Sequence, residues 1–133
     1  MKKRWISLLF CFVGCVELAV GLSFIFRQDL VFRLSGIAPV GPEYVQLPAY
    51  LIMIFGLIMF QIARDPVKNR DLIIYPALFK TAFIGVVLYN NYYGQMSPLW
   101  IVFVGFDLVY LIGFIIAWFS LGYGRIVPEL RRR

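Results

Sequence analysis

The sequence predicts an all-α integral membrane protein, a four-helix bundle with its N and C termini cytoplasmic and little chain outside the bilayer. Three observations predict it. The first is composition. The 133 residues are 62% hydrophobic and 15% charged, with a mean hydropathy of +0.83, whereas soluble domains run at roughly 45–50% apolar and 25% charged. So small a domain cannot bury that much apolar surface from water, so lipid has to solvate it. The second is four apolar runs, each of a length that can cross a ~30 Å hydrocarbon core. The third is the placement of Lys and Arg in short clusters between those runs.

The first span is expected over residues 5–26, after Met1-Lys2-Lys3-Arg4. A basic start followed by an apolar run also describes a signal peptide. The run is long for that, no A-x-A site follows it, and apolar sequence continues past Phe12-Val13-Gly14-Cys15, which loosely matches a lipoprotein cleavage box. An uncleaved span is therefore expected. The connection over 27–46 holds Asp29-Leu30-Val31-Phe32-Arg33-Leu34, an amphipathic turn or two with Asp29 as N-cap. Gly36, Pro39, Gly41 and Pro42 then break any helix.

The second span is expected over 45–63, with Pro48 in its first turn, where a missing N–H costs little. Arg64-Asp65-Pro66 ends it. The third is expected over 71–92, capped by Asn69 or Asp71, with Pro76 bending it or marking its true start. The fourth is expected over 98–121, with Pro98 at its start, Trp100 and Trp118 as interface anchors, and Gly122-Tyr123-Gly124 as its stop. One side of the membrane then receives Lys2, Lys3 and Arg4, the loop residues Arg64, Lys68 and Arg70, and the basic tail with Arg131-Arg132-Arg133. The other receives only Arg27 and Arg33. By the positive-inside rule the richer side is cytoplasmic.

The net charge of +6 is explained by this topology, so nucleic acid is not an expected partner. The chain has no His. That removes the usual haem ligand, the commonest zinc ligand and the default general base, and neither a metal nor another cofactor is expected. Cys11 and Cys15 share a helix face at i, i+4. Two thiolates can serve a soft metal, but a thiolate in lipid is costly, and small apolar packing is the expectation for both. Arg64, Lys68 and Arg70 are candidates for contact with lipid headgroups, although topology alone accounts for them.

The residues that demand explanation are Glu17, Lys80 and Asp107, one in each of three spans. A charge at a span centre costs roughly 2.5–3.5 kcal/mol on insertion scales and normally faces the bundle interior. At about 1.5 Å per residue, their depths from the cytoplasmic ends are roughly 18, 13 and 21 Å in chain order. Those depths permit one cluster. Gly14 and Gly21 share the face of Glu17, and small residues allow close helix approach. Tyr110 lies one turn from Asp107 and is a candidate hydrogen-bond donor to it. Such a cluster is either a buried ion network that fixes helix register or an intramembrane ligand, proton or substrate site.

Gly14-Cys15-Val16-Glu17-Leu18-Ala19-Val20-Gly21-Leu22, Ala63-Arg64-Asp65-Pro66, Asn69-Arg70-Asp71-Leu72 and Leu78-Phe79-Lys80, with the four-span layout, resemble the DoxX-like group of small bacterial four-helix membrane proteins over about residues 6–120. The resemblance implies the fold and a bacterial inner membrane. It implies no catalytic residue, since that group contains small subunits associated with quinone-linked oxidoreductases beside many proteins of unknown role.

Three functions fit. The expected one is a non-catalytic subunit or accessory protein of a membrane complex, with a membrane protein or a second copy as partner. It rests on the absence of a soluble domain, of His and of any catalytic motif, and on the helix-docking glycines Gly14, Gly21, Gly105 and Gly113. The second is a carrier or enzyme that binds a lipid or quinone-like small molecule through Glu17, Lys80, Asp107 and Tyr110. The third is an oligomeric proton-coupled transporter with Glu17 or Asp107 titrating. An open pocket at the three charges favours the second, and tight packing there favours the first.

Overall fold

The computed structural model describes residues 2–36, 38, 40–94 and 97–130, and of 2, 3 and 123–130 only the course of the helix. The elements in order are α1 (Lys2–Phe26), α2 (Gln28–Ser35), α3 (Pro42–Arg64), a 3-10 turn (Arg70–Ile73), α4 (Ile74–Tyr92) and α5 (Pro98–Leu130). No strand occurs among the described residues. Four helical stretches are long and apolar enough to cross a membrane: Arg4–Phe26, Pro42–Arg64, Arg70–Tyr92 and Pro98–Gly122. Their outward faces carry large apolar side chains such as Leu8, Phe12, Leu57, Leu78 and Phe106, an arrangement stable in lipid and not in water. The chain is a small four-span membrane protein.

The helices form two antiparallel pairs. In the first, α1 lies along α3 with backbones almost touching. A Cβ on Gly14 would stand 3.0 Å from the Gly56 carbonyl oxygen, and one on Gly56 would stand 3.1 Å from that of Gly14. Two turns away, a Cβ on Gly21 would stand 2.9 Å from the Ala49 carbonyl oxygen. The seven-residue spacing on each helix keeps the small residues on one face. In the second pair, α4 lies along α5, with Arg70 beside Trp118, Lys80 beside Asp107 and Phe83 beside Trp100. Its seam is filled by Ile84, Val87 and Val104.

An apolar cluster joins the pairs at one end. It draws Ile6, Phe10 and Val13 from α1, Met59 and Ile62 from α3, Ile73 from the 3-10 turn, and Phe114, Ala117 and Leu121 from α5. Phe10 and Phe114 stack at 4.8 Å between ring centroids, and Phe55 of α3 stacks on Phe79 of α4 at 4.3 Å. The start of α1, the 3-10 turn and the Ala117–Leu121 stretch of α5 therefore share this end, which also holds Arg64, Lys68 and Arg70. At the other end α2 packs against α1 and α5 and stops at Gly36, whose φ of 68° is left-handed.

Several boundaries differ from the sequence expectation. Pro42 starts α3 instead of breaking a helix, because a proline at the first helical position is already set at a helical φ. Pro48 consequently lies inside α3. Asp29 is not a cap. It sits in the first turn of α2 and pairs with Arg33 at 3.2 Å. Asn69 makes no side-chain cap for the turn that follows; its Nδ2 donates to the Gln61 carbonyl at 2.7 Å and closes the end of α3. Pro76 marks the start of α4, falling in its first turn. Gly122 and Gly124 do not stop α5, which stays helical to Leu130. Glycine inside a helix costs about 1 kcal/mol without breaking it. Pro39 and Arg131-Arg132-Arg133 lie outside the described residues.

Candidate functional site

The three charges expected inside the spans meet. Lys80 Nζ donates to Glu17 Oε1 and, at 2.7 Å, to Asp107 Oδ1. Each comes from a different helix, so the contact ties α1, α4 and α5 together. The placement follows from register. Glu17 is seven residues beyond Phe10 on α1, and Asp107 is seven residues before Phe114 on the antiparallel α5. Two turns, or about 10.5 Å of rise, therefore carry both helices from the stacked rings to the carboxylates. Lys80 lies on α4 one turn after Ala77, which packs on the apolar cluster, and its long side chain covers the remaining distance.

Burial is close to complete: 5% of Glu17, 4% of Lys80 and 8% of Asp107 remains exposed. The fourth wall is α3, where the Gly56 side-chain position lies 3.3 Å from the Glu17 Cβ. Glu17 can stand between α1 and α3 only because position 56 is a glycine. The Lys80 ammonium also faces two rings, Phe79 at 5.8 Å and Tyr110 at 5.7 Å from their centroids, within the range of cation–π attraction. An ammonium has three N–H donors and no acceptor. Two are directed at the carboxylates of Glu17 and Asp107.

Tyr110 joins the site by its ring. It faces Lys80 and meets Phe12 edge-on at 6.5 Å, and among the described residues its hydroxyl donates no hydrogen bond to Asp107. Cys11 and Cys15 are free and exposed on α1, so the expected packing inside the bundle does not occur. A Cβ at Gly113 would stand 3.1 Å from the Leu9 side chain of α1, whereas nothing stands within 4 Å of a Cβ at Gly105. Trp100 packs on Phe83 and Phe103, and among the described residues its buried indole N–H has no hydrogen-bond partner.

The three basic residues of the α3–α4 connection separate. Arg64 and Lys68 are exposed. Arg70 is instead laid against α5. Its Nε donates to the Trp118 carbonyl at 3.0 Å, and its guanidinium carbon stands 4.2 Å from the Trp118 ring centroid. Gly122 makes room, since a Cβ there would be 2.8 Å from Arg70 Nη2. Beside this contact a groove of about 140 Å³ runs between α4 and α5, walled by Ile74, Ala77, Ile115, Trp118 and Phe119 and wholly apolar. It contains no residue of the charged triad.

Sequence reasoning found the triad and the Gly14/Gly21 face. It missed Gly56 and the clasp of Arg70 on Trp118. The signal for Gly56 is its spacing of seven from Ala49, which mirrors Gly14 and Gly21 on the antiparallel neighbour. The signal for Arg70 is the register set by Lys80 and Asp107. Moving ten residues back from Lys80 brings Arg70 beside the stretch of α5 that follows Asp107 by ten. No protein-family model, no curated protein and no solved structure matches this chain.

Proposed function

We propose that this chain is a non-catalytic subunit or accessory protein of a membrane complex, inserted with both termini cytoplasmic. The observation that carries the reading is the closure of the triad. The ionisable residues at the span centres, Glu17, Lys80 and Asp107, contact one another behind walls from four helices, with at most 8% exposure. A carrier or enzyme using Glu17, Lys80 and Asp107 needs an opening at them, and the apolar groove lies elsewhere. A buried charge network that fixes register has a precedent in helical assemblies. The resemblance to DoxX-like proteins, and with it a bacterial inner membrane, belongs to the same reading. So does the orientation, which rests on the basic end formed by Arg64, Lys68 and Arg70 beside the start of α1.

Extraction in native lipid nanodiscs, followed by mass measurement of the intact assembly, tests the reading. The expected result is a second polypeptide, or a second copy of this chain, at fixed stoichiometry. Recovery of a lone chain in every preparation overturns it.

A further inference from the structure

Arg70 differs from the other basic residues of its loop. Arg64 and Lys68 are exposed, and a topological signal needs nothing more. Arg70 is fixed by the Trp118 carbonyl, the Trp118 ring and the gap at Gly122. Ordering a long side chain costs conformational entropy, and a charge that only marks the cytoplasmic side gains nothing from it. The clasp uses Nε and lays Nη2 over Gly122, and among the described residues no acceptor takes a hydrogen bond from the two amino groups, whose planar fork suits a phosphate.

The groove begins where Arg70 ends. Its walls start at Ile73 and Ile74, the residues that follow the arginine by one turn, and they include Trp118, the ring on which the guanidinium lies. No polar atom lines it. A fixed cation at the end of a candidate span thus stands directly above an apolar slot running into that span. A free anion has no use for the slot, and a neutral hydrocarbon has none for the arginine. A molecule with a phosphate joined to an alkyl chain matches both.

We infer that the α4–α5 groove holds one anionic phospholipid, with an acyl chain against Ala77 and Ile115 and the phosphate on Arg70. This does not depend on the chain being a subunit. It divides the basic loop into one binding residue, Arg70, and two that supply charge alone, Arg64 and Lys68.

Trp118 is a built-in reporter once Trp5 and Trp100 are replaced by Phe. The full chain is placed in nanodiscs of phosphatidylcholine with added phosphatidylglycerol, one or the other carrying brominated acyl chains, and quenching of Trp118 is read. Brominated phosphatidylglycerol is expected to quench at about tenfold lower mole fraction than brominated phosphatidylcholine, the effect of one charge-assisted hydrogen-bonded contact. Arg70→Gln is expected to remove that preference, and the double variant Arg64→Gln/Lys68→Gln to keep it. Ala77→Phe, which fills the slot and leaves Arg70 in place, is expected to abolish quenching by either lipid through this site. Soluble glycerol phosphate is expected not to compete. Equal quenching by the two lipids in the parent protein overturns the inference. So does equal loss from the Arg64/Lys68 variant, displacement by glycerol phosphate, or undiminished quenching in Ala77→Phe. The last decides the matter even if Arg70→Gln does not fold.

Discussion

The two helix pairs solve the same packing problem in opposite ways. The α1–α3 pair brings backbones together, with Gly14 on Gly56 and Gly21 on Ala49. The α4–α5 pair holds its helices apart with Ile84, Val87 and Val104, and its glycines at 85 and 105 have nothing within 4 Å of a side-chain position. A glycine in a membrane helix therefore signals close approach only where its own face is otherwise buried. Gly14 has Phe10 and Glu17 on its face, whereas Gly105 has Val102 and Phe106 as exposed neighbours. The pairs differ again in what joins them. Apolar packing does so at the basic end, and one level further in the Lys80 ammonium takes over.

The largest test of this contrast is the link between the pairs. Lys80→Met leaves Glu17 and Asp107 facing each other without a cation. Breaking a buried ion network by removing one partner costs about 3–5 kcal/mol. The expected outcome is a loss of that size when the protein is unfolded by titrating dodecyl sulfate into mild detergent.

The next effect falls on the glycine seam. Gly56→Leu must push α3 from α1 and crowd Glu17, with an expected loss of about 1–3 kcal/mol, the usual range for overpacking. The same titration measures it, and it is expected to lower the stability of the α1–α3 contact without removing helicity. Gly113→Ala should cost less than Gly56→Leu, because the atom in its way is the end of the flexible Leu9 side chain. The smallest effect is at Gly105. Gly105→Ala meets open space and is expected to stay within about 0.5 kcal/mol of the parent. A loss at Gly105 as large as that at Gly56 would erase the distinction between the pairs.

Much of this was legible in the sequence, for reasons that particular residues make clear. Apolar run length gave the four spans, because lipid forces each run to satisfy its backbone internally as a helix. Charge depth gave the triad, because a helix converts residue count into distance and Glu17, Lys80 and Asp107 have no favourable place except beside one another. What was not legible depends on neighbours or on backbone state. Gly36 and Gly94 take φ of 68° and 69° and end their elements, while Gly122 stays helical and lies against Arg70. No local pattern separates the two cases. Cys11 and Cys15 could face either way from their spacing, and only the partner helix decides that they face out. Arg70 sits in a loop whose charges look equivalent until the register of α5 brings Trp118 beside it.

The central claim is that the triad is a structural lock and not a site that must stay charged. The most direct test compares Lys80→Met with the triple variant Glu17→Met/Lys80→Met/Asp107→Val in one detergent titration, with the intact assembly weighed for each. Replacing a whole buried ion network by apolar residues of similar volume is often neutral or stabilising. The account predicts that the triple variant recovers to within about 1 kcal/mol of the parent and keeps the assembly mass. A triple variant that folds with parental stability but loses its assembly, or one no more stable than Lys80→Met, would contradict it.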